Sequence, residues 1–284
     1  MRRALLAVLV GVSACGRDAL PDPAQLGFDV AAARAFQEDE DKTLAQPVSP
    51  LSAVDAFYLE AGETLALGIV GDQVVVNPTP AASVQLVVSE SEGAIGVQRT
   101  GLPQERSRES LTATLGRFEL AIGPQSGGVR VVVHDRTAEA LTGFTARPWF
   151  DVSAAYIVGA RLARDPTSAA VTLPTTRGLT KALPRAGTVA LELGGKPVVL
   201  TVFESGPSTF LLPFTDATTG TQTYPVGRYV VVDAPTSGDA VVIDFNRATN
   251  PWCAYSEHYN CPIPPTDNGI ATPILAGERW QGVH

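Results

Sequence analysis

The chain has 284 residues, 45% hydrophobic, 18% charged and 7% aromatic, with 26 glycines and 22 prolines. That composition excludes disorder and collagen-like repeats, and the length suffices for two lobes or one large β domain whose core needs no metal or disulfide staple. The net charge is −8, from 21 Lys and Arg against 29 Asp and Glu. No dense basic run follows position 3, so no nucleic-acid partner is expected.

Arg2 and Arg3 precede an apolar run from Ala4 to Val12, about the length of a secretion-signal core and too short for a helix that spans a bilayer. The run closes in Val12-Ser13-Ala14-Cys15, which resembles the lipobox of bacterial lipoproteins. By that resemblance residues 1–14 are a signal peptide, Cys15 becomes the lipidated first residue, and the mature chain keeps 19 basic residues against 29 acidic ones. More than one acyl chain makes a stable anchor, since each buried methylene contributes about 0.8 kcal/mol. The membrane is thus the first expected partner, and Gly16 in place of an Asp favours the outer membrane of a Gram-negative host. The alternative is an ordinary cleaved signal followed by an incidental cysteine.

Residues 15–28 are rich in Pro, Asp and Ala and read as a tether. Asp29 to Asp41 predicts a helix, with Asp29 as N-cap, Val30, Ala33 and Phe36 as an apolar stripe, and the acidic run from Glu38 ending it. A second short helix is expected from Leu51 to Leu59, with Ser49 or Ser52 near its start. From Thr64 the pattern is β. Runs at Leu65–Val70, Gln73–Val76, Ser83–Val88, Phe118–Ile122 and Val129–Val133 are separated by Gly, Pro, Asn and Asp.

Further strands fit Tyr156–Ala163, Ala169–Leu173, Phe210–Phe214, Tyr229–Asp233 and Ala240–Phe245. Val189, Leu191 and Leu193 alternate with polar or small residues, Gly194-Gly195 supplies a tight turn, and Val198, Leu200 and Val202 resume the alternation, which predicts a hairpin. Strands at this spacing without crossover helices predict a mainly β chain, an antiparallel sandwich or barrel-like sheets with a short N-terminal helical segment. Arg147-Pro148-Trp149-Phe150 interrupts the rhythm and divides the mature chain into a lobe at 29–148 and a C-terminal lobe at 149–284.

Residues 210–280 hold dense polar and turn blocks: Pro213-Phe214-Thr215-Asp216, Thr223 to Tyr229, Asp244-Phe245-Asn246-Arg247, Asn250 to Tyr255, Cys261 to Pro265, Asn268, and Ala276-Gly277-Glu278. In that order they resemble the signature of the bacterial family catalogued as domain of unknown function 1684. Ser49 to Ser52 and Val129 to Val131, leading to Asp135, look like weaker echoes, which extends the expected coverage from about residue 30 to the end. Thr249 departs from an expected aromatic and Gly269 from a usual basic residue.

The resemblance implies no reaction. It implies a cluster of Asp216, Tyr224, Arg228, Asp244, Asn246, Asn250, Cys253, Cys261, Asn268 and Glu278. Within it Arg228 offers a planar fork that Asp216, Asp244 or Glu278 could accept in bidentate fashion. Two readings stay open. These side chains either lock the proline-rich C-terminal loop onto the sheets, or line a polar pocket at one end of them.

Cys253 and Cys261 remain once Cys15 is lipidated, and in an oxidising envelope they are expected to form a disulfide. Sharper alternatives are zinc held by Cys253, His258 and Cys261 with Glu257 or Asp267, and a reactive thiol. His134, before Asp135, is a minor catalytic candidate, and Trp149, Trp252 and Trp280 could stack a sugar ring or fill core edges. No nucleophile elbow, P-loop, dinucleotide fingerprint or HExxH helix occurs in the mature chain, and no cofactor is expected. The leading functional expectation is a ligand- or envelope-component-binding β module acting through residues 210–280. The alternative is a hydrolase or thiol-dependent enzyme at the same segment.

Overall fold

The computed structural model describes residues 20–79, 84–125 and 127–282. The expected signal segment, the expected lipidation site Cys15, the first part of the expected tether and His284 lie outside the described residues.

Helix α1, Val30–Leu44, starts where Asp29 accepts the Ala32 N–H at 2.7 Å. The acidic run does not end it. Arg147 donates to Glu40 at 3.0 Å and lies near Asp41, so a distant cation compensates charges that local sequence leaves repelling. The expected helix at Leu51–Leu59 is instead a single 3-10 turn, Pro50–Ser52, followed by strand β1, Ala53–Glu60. Leu59 enters the core and β1 finds a partner strand far along the chain, a non-local gain that local propensity cannot register.

Eight more strands complete the first lobe: β2 Thr64–Val70, β3 Gln73–Val76, β4 Leu86–Ser91, β5 Ala94–Arg99, β6 Glu105–Ser107, β7 Leu111–Leu115, β8 Phe118–Gln125 and β9 Gly128–Asp135. They form two antiparallel sheets, β1-β9-β8-β7 and β3-β2-β4-β5-β6. Leu59, Leu120, Ile122, Val129, Val131 and Val133 of one face Leu65, Leu67, Leu86, Val88, Ile95 and Val97 of the other in a shared core. Val131, Val132 and Val133 of strand β9 run consecutively because both faces of the strand are covered there. Val132, on the opposite face from Val131, packs against Cys253, Tyr259 and Cys261 of the second lobe.

After the short helix α2, Glu139–Thr142, come β10 Ile157–Arg164, β11 Ala170–Pro174, β12 Thr180–Leu193, β13 Lys196–Gly206, β14 Thr209–Asp216, β15 Arg228–Asp233, β16 Ala240–Asp244 and β17 Gly269–Ile270. Their order is β15-β14-β13-β12-β10-β16, and β15 lies beside β16 to bring the sheet close to a closed barrel. The β12–β13 hairpin turns at Gly194 and Gly195, whose φ values of 58° and 75° explain the pair of glycines. Phe210, Leu212, Phe214, Val230, Val232, Ile243 and Phe245 fill the interior.

Two segments assigned to the N-terminal part of the chain dock on this barrel. Gln37 of α1 donates to the Asn246 carbonyl at 2.9 Å, and Arg247 lies over the rings of Phe28 and Phe36. The described end of the expected tether is folded, with a 3-10 turn at Pro23–Leu26 capped by Asp22. Pro21 runs so close to β10 that a Cβ on Gly159 would lie 1.7 Å from its carbonyl oxygen.

Candidate functional site

Most of the polar cluster serves to order the irregular segment that follows β16. Arg228, 1% exposed inside the barrel, donates to the carbonyls of Ala276, Glu278 (3.2 Å) and Ile274 (3.0 Å) and lies over the Phe214 ring. The bidentate carboxylate partner expected for it is not present. Asp216 approaches at 3.6 Å, but three backbone carbonyls without strand partners take the guanidinium donors. Burial draws the Arg228 pKa down to about 10, opposed by Asp216 and Glu278.

Asp216 itself accepts from the Ile274 N–H at 2.6 Å and from Thr218. Asn268 donates to the carbonyls of Thr201 and Pro213 and accepts the Thr201 N–H, which pins the loop beside β13 and β14. Asp244 and Asn246 form a separate knot: Asp244 caps the turn Phe245–Arg247, and Asn246 exchanges bonds with Ser153. Burial raises the Asp244 pKa, its nearest cation being Arg247 at 3.4 Å. These residues are brought together as fasteners, not as one pocket.

Asn250 and Glu278 are different. They line, with Arg147, Tyr255, Phe144, Pro148 and Trp280, a cleft of about 480 Å³ between the segment after α2 and the end of the barrel. Glu278 is 1% exposed. Its carboxylate accepts from the Asn250 N–H and the Asn250 side-chain amide, both at 2.8 Å, and from the Tyr255 hydroxyl; Arg147 stands at 3.8 Å. Burial lifts its pKa to about 7, against the pull of Arg147 and these donors. Asn250 Oδ1 and the Trp280 ring N–H make no hydrogen bond. Arg147 and Tyr255, absent from the expected set of site residues, are the parts sequence reasoning missed. The one hint was the Arg147-Pro148-Trp149 break in the strand rhythm.

Tyr224 lies on a second depression of about 470 Å³, with Thr176, Arg177, Cys253, Glu257 and Tyr259. Its hydroxyl donates to the Cys253 carbonyl at 3.1 Å, and its ring meets Trp280 edge-on. Both cysteines are buried free thiols, and the Cys253 N–H donates to Cys261 Sγ at 3.2 Å. Among the described residues no three His, Cys, Asp or Glu side chains group as a metal site, so His258 does not join the thiols as a zinc ligand.

His134 is buried at 2.9 Å from Ser52 Oγ, its pKa lowered to about 4 by burial. Trp149 donates to Asp41, and Trp252 is exposed against Tyr259. Only Trp280 reaches the cleft.

The family described as "Protein of unknown function (DUF1684)" matches residues 142–279. That part of the chain, just under half of it, is similar to this family. The DUF1684 region spans the barrel and the segment that Arg228 fastens into it, and it contributes Arg147, Asn250, Tyr255 and Glu278 to the cleft. The match leaves out the upstream echoes at Ser49–Ser52 and Val129–Val131. The chain is also similar to an uncharacterized protein of Haloarcula marismortui known from a solution NMR structure, with 34% identity over 51% of this chain and 82% of that one and a TM-score of 0.44. No curated protein matches it.

Proposed function

We propose that the chain is a lipid-anchored cell-envelope protein whose DUF1684 region binds a small ligand or envelope component in the Glu278 cleft. The envelope reading is supported by Arg2 and Arg3, the apolar run to Val12 and the lipobox-like Val12-Ser13-Ala14-Cys15. The binding reading is carried by one observation: a fully buried carboxyl group stands at the wall of a cleft of about 480 Å³ lined also by Arg147, Asn250, Tyr255 and Trp280. The lining asks for a ligand with an apolar body against Phe144, Pro148 and Trp280.

The test is native mass spectrometry of protein purified from envelope fractions. A retained small molecule is expected in the wild type and is expected to be lost in Ala146→Trp, which fills the cleft from an exposed position and leaves the Glu278 contacts intact. Retention by both proteins, or by neither, sinks the reading. A Cys15→Ser variant is expected to leave the membrane fraction.

A second reading is favoured by the Glu278 pKa of about 7, which suits a carboxyl group to give and take protons near neutrality. Under it the cleft is a hydrolytic site with Glu278 as general acid or base. Turnover of a panel of ester and glycoside substrates that disappears in a folded Glu278→Gln variant would put this reading first.

A further inference from the structure

Cys253 and Cys261 take no part in the Glu278 cleft. Cys253 sits in the 3-10 turn Trp252–Ala254 behind Pro251, and Cys261 precedes Pro262, which bridges back to Thr175. Two bonds hold Cys261 in place: its carbonyl accepts the Thr176 N–H at 3.0 Å, and its own N–H donates to Thr176 Oγ1 at 3.1 Å. The Cys253 N–H bonded to Cys261 Sγ sets the second sulfur directly on the first residue. Proline-braced backbone on each side fixes this approach.

The pair is asymmetric. Both pack with Val132 and Tyr259 in the small cluster between the lobes, but Cys253 also lines the 470 Å³ depression that carries the exposed Arg177, and Cys261 does not. The Cys261 thiol's hydrogen bond draws the Cys253 pKa down to about 7 against the effect of burial, and the Tyr224 hydroxyl adds to it from 3.9 Å. The Cys261 pKa is pushed up by its bond to Cys253 and by burial. Cys253 is thus the thiol at the wall of the depression with the more stabilised thiolate, and Cys261 is the thiol behind it.

We propose that Cys253 and Cys261 form a dithiol that exchanges with low-molecular-weight disulfides entering the Arg177 depression, Cys253 attacking and Cys261 resolving. The Cys253 thiolate attacks one sulfur of R–S–S–R, forming a mixed disulfide and expelling RS⁻. Cys261 then attacks the Cys253 sulfur, its proton passing to a departing thiolate, and the second RSH leaves. The two cysteine thiols are oxidised to one disulfide and one external disulfide is reduced to two thiols, with no other co-reactant. Arg177 offers its guanidinium to a carboxylate on such a molecule.

Oxidised glutathione is the probe, applied to the reduced full chain with adducts located by peptide mapping so that Cys15 is not counted. The wild type is expected to form the Cys253–Cys261 disulfide, release two equivalents of glutathione, and return to the dithiol when reduced glutathione is added without denaturant. Cys261→Ser is expected to stop at a glutathione adduct on Cys253, and Cys253→Ser to react at Cys261 at least about tenfold more slowly. Should Cys253→Ser fail to fold, alkylation of the wild type by iodoacetamide is expected to label Cys253 first, with a rate midpoint near pH 7. The proposal is overturned if neither thiol reacts before denaturation, if both label equally, or if the disulfide resists reduction in the folded protein and is therefore a static staple.

Discussion

Asn250 grips Glu278 from two sides, its backbone N–H and its side-chain amide each donating to a different carboxylate oxygen at 2.8 Å. The residue type matters because only an amide supplies a side-chain donor at that point. Asn250→Asp sets a second carboxyl group against the first, and two such groups in contact cannot both ionise cheaply. The variant is expected to lose roughly 3–5 kcal/mol of stability at pH 8 and to recover much of it at pH 5, where the pair keeps a proton. Urea unfolding at the two pH values checks this, and equal losses at both would rule out the charge explanation.

Glu278 and His134 drive stability in opposite directions over nearly the same pH range. The Glu278 pKa is raised by burial to about 7 in the folded chain, so the folded state holds a proton the unfolded state releases, and stability falls as pH rises from about 4.5 to 7. The His134 pKa is lowered by burial to about 4, so the unfolded state takes up the proton first, and stability falls as pH drops from about 6.5 to 4. Each is worth roughly 3 kcal/mol by this linkage, and together they nearly cancel between pH 4.5 and 6.5. Glu278→Gln is expected to make stability rise with pH there, and His134→Gln to make it fall. Parallel slopes in the two variants would contradict the assignment.

Arg228 fastens the segment from Ile274 to Glu278 through three carbonyls. Arg228→Met keeps much of the volume over Phe214 but leaves those carbonyls and the buried Asp216 without the guanidinium. A loss of roughly 3–5 kcal/mol is expected, together with faster amide exchange confined at first to Ile274–Glu278. Uniform exchange across the barrel would show that the residue stabilises the core and not this segment.

Gly159→Ala brings a methyl group onto the Pro21 carbonyl, inside any allowed contact. Residues 21–28 are expected to detach and become protease-sensitive while β10 and the barrel melt within a few degrees of the wild type. Persistent protection of that segment would mean that it shifts along β10 instead of leaving it.

Much of the architecture is legible in the chain. The alternation at Val189–Leu193 and Val198–Val202 around Gly194-Gly195 is a hairpin because side chains on a strand must alternate between core and solvent. Asp29 caps α1 because its short carboxylate reaches the Ala32 N–H. Strands β5 and β7 escaped notice because Gly96 and the threonines of Leu111–Leu115 dilute the period. The strand at Ala53–Glu60 was mistaken for a helix because its stabilising partner lies some seventy residues away.

The site divides in the same way. The polar blocks after residue 210 fall within the part of the chain that matches the family, and Asn250 and Glu278 do meet. Their separation from Asp216, Arg228, Asp244 and Asn268 could not be read, because a residue list carries no information about which carbonyls the loop leaves unpaired. Arg147 reaches Glu278 across 131 positions of sequence, and Glu40 and Asp41 reach Arg147 across more than a hundred. The chain alone determined the β class, the hairpin and the N-cap, since periodicity and capping are local physics. Only the tertiary structure decided which carboxylate is buried at the cleft and which cysteine lines the second depression, because burial and pairing depend on contacts made across the chain.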